Sequence, residues 1–226
     1  PWMDEGINSY YERRYYEEVK FNDDFYDFFP ALKKILKYKP AKQTEYHHYL
    51  HDFVNSRNID QPANLPANEY SSLNYGCIIY SKVAVSFNYL EKYLGRKVFD
   101  AAMQDYFQSW KFKHPSPKDL EAIFKKHSGK SLEWFFNDLL KTSYPIDYKI
   151  NSAGYSWDNE KFSLTITNAG DVASPIVVSA LNKGAVIKTA WYEGFLGVKE
   201  LNFPKGEYDE VVIDYYHDIP EVNRKN

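Results

Sequence analysis

At 226 residues the chain is long enough for one large domain or two small ones, and an aromatic content of 18% supplies the bulk for a substantial core. Its formal net charge of −3, with no block of Lys and Arg, gives no footing for a polyanion such as nucleic acid. The single cysteine, Cys77, excludes an internal disulfide and a multi-cysteine zinc site, and no apolar run approaches transmembrane length.

The first element reads as a helix. Met3, Ile7, Tyr10 and Tyr11 recur at three- and four-residue spacing, with Glu5, Asn8, Ser9 and Glu12 on the opposite face. On periodicity alone Glu5 is a solvated surface carboxylate. Phe25, Phe28, Phe29, Leu32, Ile35 and Leu36 predict a second helix over residues 23–38, interrupted at Pro30 and closed by Pro40. Tyr46, Tyr49, Leu50, Phe53 and Val54 predict a third. Residues 55–74 are rich in Asn, Pro and Ser and read as a long loop, and a loop of that length in a compact domain often carries function.

The most apolar helix follows, over about residues 73–94, with Ile79, Val83, Phe87, Leu90 and Leu94 as its stripe. Most of its other faces are apolar too, so it is expected to be buried on several sides, and Gly95 ends it. Phe99, Met103, Tyr106, Phe107 and Trp110 mark the next helix. Ser116-Pro117-Lys118-Asp119 then supplies an N-cap, a proline at the first helical position and an acid at the third. That helix runs to about His127 and stops at Gly129, and Ser131 caps a last one through Trp134, Phe135 and Leu139.

Near Ser143-Tyr144-Pro145 the apolar pattern changes from helical spacing to alternation. Strands are predicted over residues 161–167, 175–181, 185–191, 198–203 and 210–216, separated by Asn168-Ala169-Gly170-Asp171, Asn182-Lys183-Gly184 and Pro204-Lys205-Gly206. The expected class is α+β: a helical part over 1–143, a small antiparallel β-sandwich of immunoglobulin or fibronectin type over 144–220, and a frayed polar tail over 221–226.

Several segments in order carry a family likeness. Trp2, Asp4, Glu5, Gly6, Tyr10 and Glu12 resemble the segment of the aminopeptidase N family of zinc metallopeptidases, the gluzincin aminopeptidases, that delivers the third zinc ligand. Tyr80-Ser81-Lys82-Val83-Ala84 looks like the Tyr-x-Lys-Gly-Ala segment of that family, departing from it at Val83. Phe99 through Trp110-Lys111-Phe112-Lys113-His114-Pro115, Asp119 and residues 132–136 extend the likeness over about the first two-thirds of the chain.

The resemblance implies a metal-ligand role for Glu5 and a catalytic role for Tyr80. Catalytic zinc is commonly held by two His and one Glu with a water in the open position. A phenolic hydroxyl beside it can stabilise the charge that develops on a peptide carbonyl oxygen. Read without the likeness, Tyr80 is a tyrosine beside an apolar stripe whose hydroxyl is satisfied locally. The family's two His ligands and its general base sit on an H-E-x-x-H helix, a motif absent from these residues and expected upstream of them. The parent protein is therefore expected to be a Zn2+-dependent aminopeptidase acting on peptide substrates. The chain alone, separated from the upstream catalytic segment, is expected neither to hold zinc nor to act. A chain that begins inside a longer gene product says nothing through its missing signal peptide. The residues leave the compartment open, and the resemblance leans to a bacterial periplasm or another extracytoplasmic space.

Two other readings stand beside this one. The glycyl aminopeptidase group shares the Glu-Gly and Tyr-x-Lys features, and a PDZ-like β region would favour it. A non-catalytic scaffold or peptide-binding module is the reading from a different class. His47-His48-Tyr49-Leu50-His51 offers two histidines at helical ligand spacing, but His48 stands where a general base is needed, so these are expected to be surface histidines. His114 and His127 read as structural, and Lys82 as the partner of a carboxylate inside the domain.

Overall fold

The computed structural model describes residues 1–19, 45–155 and 162–223. They form two compact units, Pro1–Asn88 with Leu140–Thr142, and Tyr89–Leu139 with Ser143–Asn226. The helix expected over residues 23–38 lies outside the described residues, and no described helix is long and apolar enough to cross a membrane.

The first unit is helical. Its helix α1 (Glu5–Glu18) begins with an acid in the first turn, where the helix dipole favours negative charge, and Asn8 Nδ2 donates to Asp4 Oδ1 at 3.2 Å. Its buried face differs from the apolar stripe. Gly6, Ile7, Ser9, Tyr10 and Arg13 are buried, whereas Tyr11 is 39% exposed. Small residues take the positions of closest approach, and the buried polar groups are satisfied. Ser9 Oγ donates to the Glu5 carbonyl at 2.9 Å, and Arg13 reaches Asn88 Oδ1 at 2.7 Å and Glu17 at 2.9 Å. Trp2 and Tyr10 both rest on Phe87, with ring centroids 6.1 and 5.9 Å away.

Helix α2 (Tyr46–Asn55) precedes the long loop. The apolar run predicted as one helix over residues 73–94 is a composite. A turn of α3 (Ser72–Asn74) leads into a π-helix, π1 (Tyr75–Lys82), which continues as α4 (Val83–Leu94). The unit boundary falls inside α4, after Asn88. Of the expected apolar stripe, Ile79, Val83, Phe87 and Leu90 are fully enclosed, and Leu94 is half-buried.

In the second unit Gly95 takes φ +80° between α4 and α5 (Arg96–Trp110). Helix α6 (Pro117–Ser128) starts as the sequence indicates. Asp119 Oδ2 accepts from the Ser116 N–H at 2.7 Å, closing a capping box, and Gly129 ends the helix at φ +66°. Phe124 packs between Phe99 and Phe136, the latter from a second π-helix, π2 (Trp134–Leu139).

The β region has six strands among the described residues: β1 (Tyr148–Tyr155), β2 (Phe162–Asn168), β3 (Ile176–Asn182), β4 (Ala185–Tyr192), β5 (Gly197–Phe203) and β6 (Glu210–Ile213). They make two three-stranded antiparallel sheets, ordered β1-β2-β5 and β4-β3-β6. The class is α+β, helices followed by a small sandwich-like β region. Strand β2 alternates, with Phe162, Leu164 and Ile166 inward, while β3 is buried on both faces and reads as a continuous apolar run. The β3–β4 hairpin turns through Lys183 and Gly184, both at positive φ, which is the turn that Asn-Lys-Gly announces.

Strand β1 has no counterpart among the predicted strands. A register shift between Ile150 and Ser152 breaks its alternation, and most of its residues are exposed. Strand β6 stops at Ile213 rather than near 216, because Asp214 adopts φ +48° and its carboxylate accepts the N–H groups of Asp218 and Ile219, each at 2.8 Å. Within the stretch expected to be a tail, Glu221 is buried. It accepts the Tyr148 N–H at 2.5 Å, and the Val222 N–H reaches the Ile146 carbonyl at 3.0 Å. Residues 224–226 lie outside the described residues.

Candidate active site

The approach of α1 to π1 depends on Gly6. A Cβ built there would sit 2.6 Å from Val83 Cβ and 2.7 Å from the Ile79 carbonyl oxygen, closer than side chains tolerate. Glycine is therefore a packing requirement at this position, and Val83 is the side chain that occupies the space a Gly6 side chain would need. The residue before it, Glu5, is brought to Tyr80 of π1. Both are partly buried, and the Glu5 carboxylate stands close enough to the Tyr80 hydroxyl to act on its proton.

Withdrawal from water, followed by the neighbouring Glu5 carboxylate and the charge of Asp4, raises the Tyr80 pKa above the ordinary tyrosine value. The phenol stays protonated at neutral pH and is a donor. It stands on a π-helix, a rare geometry that recurs at functional sites. Tyr75 lies 6.1 Å from Tyr80 between ring centroids, and Tyr70, from the long loop, lies 6.1 Å from Tyr75. The other residues of the amino-terminal motif divide between core and surface. Trp2 is a buried anchor on Phe87, whereas Glu12 faces solvent.

Lys82, two residues after Tyr80, is 1% exposed. Its ammonium donates to the Thr142 carbonyl at 3.0 Å and pairs with Asp60 Oδ2 at 3.5 Å, so the carboxylate partner expected for it is Asp60, from the long loop. That loop is fastened along its length. Asn74 Nδ2 donates to the Ile59 carbonyl at 2.7 Å and to Gln61 Oε1 at 3.0 Å, the Tyr70 hydroxyl donates to the Pro62 carbonyl at 2.8 Å, and the Ala63 N–H reaches the Leu140 carbonyl at 2.8 Å.

The histidines of α2 correct the expectation of surface residues. His47, His48 and His51 are all buried. His47 Nδ1 lies 3.0 Å from Ser81 Oγ, and burial, with the Arg13 charge adding to it, lowers its pKa to about 4. Burial also lowers the pKa of His51. Polarity along α2 did not reveal this, because it does not show that His47 meets Ser81 of π1 inside the unit. His114 is exposed, and His127 Nε2 sits 2.8 Å from Asp105 Oδ2, which Lys126 also reaches at 2.8 Å.

Among the described residues no group of three or more His, Cys, Asp and Glu could hold a metal ion. Glu5, a carboxylate beside a protonated phenol, fits one arm of a zinc site and not a complete site. Sequence reasoning named Glu5 and Tyr80, which the structure brings near each other, and a carboxylate partner for Lys82, which is Asp60. It missed the π geometry, the buried His47–Ser81 contact and Asp60, although a lysine inside an apolar helix was a signal that an acid had to be near it.

Comparison with known proteins follows this geometry. The Peptidase family M1 domain matches residues 1–139. Among solved structures, the crystal structure of Legionella pneumophila aminopeptidase A in complex with aspartic acid is similar over 67% of this chain, with a TM-score of 0.55 and 18% sequence identity, a likeness of fold. The chain spans 18% of the length of that protein. No curated protein sequence matches. Since the family match takes in more than half of the residues, from Pro1 through π2, the chain belongs to peptidase family M1.

Proposed function

We propose that this chain supplies one zinc ligand and the carbonyl-polarising tyrosine of a zinc-dependent aminopeptidase that removes N-terminal residues from peptides. The observation that carries the reading is the proximity of Glu5 to the Tyr80 hydroxyl beside the Gly6 contact. Glu5 would offer its carboxylate to the metal, with two His ligands and a general-base Glu coming from an H-E-x-x-H segment outside these residues. Zinc, when bound, supplies Lewis-acid polarisation of the scissile carbonyl and an activated water.

The contribution of Tyr80 is positional and electrostatic. Its proton is held in place by withdrawal from water and by the neighbouring acids, so the hydroxyl can donate to a carbonyl oxygen as negative charge grows there. Membership of a peptidase family and the aminopeptidase fold of the solved neighbour support this assignment. On this reading the 226-residue chain by itself neither retains zinc nor hydrolyses peptides, since a metal site forms only when its ligand set is complete.

The test is a paired comparison in a protein that joins this chain to an H-E-x-x-H segment. Tyr80→Phe is expected to keep zinc and the fold while kcat falls on the order of a hundred- to a thousandfold. Glu5→Ala is expected to lose zinc itself. Near-normal kcat in Tyr80→Phe, or full zinc content in Glu5→Ala, overturns the assignment of that residue.

A further inference from the structure

We propose that residues 59–61 of the long loop act as a splint along π1, and that the buried Lys82–Asp60 pair within it is the positioning device that sets the Tyr80 hydroxyl against Glu5. The proposal rests on the reading of Tyr80 above.

Three consecutive loop residues hold both ends of the π-helix. At its entrance, the Ile59 carbonyl and Gln61 Oε1 accept from Asn74 Nδ2 at 2.7 and 3.0 Å. At its last residue, Asp60 pairs with Lys82 at 3.5 Å. Lys82 also donates at 3.0 Å to the carbonyl of Thr142, 60 residues further along the chain, and Ser81 is held by His47 at 3.0 Å. Tyr80 lies between these fastenings, next to the end where they are densest.

Stability alone does not account for a lysine here. Its neighbours on the helix, Ile78, Ile79, Val83 and Ala84, are fully buried, and an apolar side chain of similar volume in place of a buried ion pair is often neutral or stabilising. What the pair adds is direction, because a buried ammonium with two acceptors fixes the rotation of the segment that bears it. A π-helix is a strained alternative to the α-helix and persists where its surroundings hold it. If it relaxed to α geometry, the residues along it would turn about the helix axis and Tyr80 would leave Glu5.

The test uses the 226-residue chain with tyrosine labelled by carbon-13 at Cζ, the Tyr80 signal being identified as the one lost in Tyr80→Phe. In Lys82→Met, the Tyr80 signal is expected to shift and its ring to lose the nuclear Overhauser contact with Glu5, while the signals of Tyr89 and Tyr148 stay in place. Lys82→Met paired with Asp60→Leu removes the uncompensated buried acid and keeps the fold. It is expected to show the same displaced Tyr80, so a merely destabilised chain is separated from a mispositioned tyrosine. In the protein that joins this chain to an H-E-x-x-H segment, loaded with zinc, the double variant is expected to lower kcat about 10- to 100-fold with KM little changed, as supporting partners typically do. A Tyr80 signal and Glu5 contact unchanged in the double variant overturn the proposal. Normal activity in Tyr80→Phe, with Tyr80 displaced in the double variant, sinks the catalytic role of Tyr80 and leaves the splint standing.

Discussion

The burial of His47 makes the first unit sensitive to acid in a way that can be worked out. The imidazole sits against Ser81 Oγ at 3.0 Å, near the Arg13 guanidinium, and its pKa falls from 6.5 to about 4, burial being the larger cause. Above pH 6.5 the ring is neutral in both folded and unfolded chains, and its environment costs nothing. Between 6.5 and about 4 the unfolded chain takes up a proton that the folded chain refuses, so stability falls with falling pH. Below about 4 both states are protonated and the slope ends. The full interval, at about 1.36 kcal/mol per pH unit, is worth about 3 kcal/mol. His47→Gln keeps a side chain able to hydrogen-bond Ser81 but carries no titrating ring. The assay is urea unfolding of wild type and His47→Gln at pH 7 and pH 4, with the carboxylates common to both cancelling in the difference. Wild type is expected to lose about 3 kcal/mol more than the variant over that range. Direct titration of the His47 ring by proton nuclear magnetic resonance is the second reading. A ring that titrates near 6.5, or identical acid sensitivity in the two proteins, refutes the reasoning.

Two further outcomes test the packing. Gly6→Ala is expected to destabilise the first unit by about 1–3 kcal/mol through overpacking against Val83 and the Ile79 carbonyl, and Val83→Ala in the same chain to recover only part of that, since the carbonyl cannot retreat; thermal unfolding of the single and double variants checks it. Glu221→Ala is expected to cost about 1–3 kcal/mol by leaving the buried Tyr148 N–H without its acceptor, and equilibrium unfolding indistinguishable from wild type would refute a structural role for that carboxylate.

Helices α5 and α6 were legible because their apolar stripes and punctuation agree. The capping box at Ser116 and the glycines at 95 and 129 stand where a chain of either fate would have to declare itself. Strand β1 was not legible because Asn151, Ser152 and Gly154 carry no alternation and the strand is defined by pairing with β2 alone. The π segment was invisible for a related reason. Tyr75 through Lys82 has the composition of an apolar α-helix, and its geometry is imposed by residues 59–61, Thr142 and His47, none of which is local to it. The histidines of α2 failed in the same direction: periodicity records which side chains are polar, not whether a partner such as Ser81 waits for them inside.

The candidate site shows where that limit lies. Glu5 and Tyr80 are 75 positions apart, and no pattern in either segment demands that they meet. What brings them together is written within two residues of each. Gly6 lacks the side chain that would keep α1 off π1, and Lys82 carries a charge that must find Asp60 before it can be buried. In an apolar helix a lysine, and in an amphipathic one a buried glycine, each contradict the local pattern. Positions of that kind, where the local rule is broken and the surroundings compensate, are where a functional geometry is held.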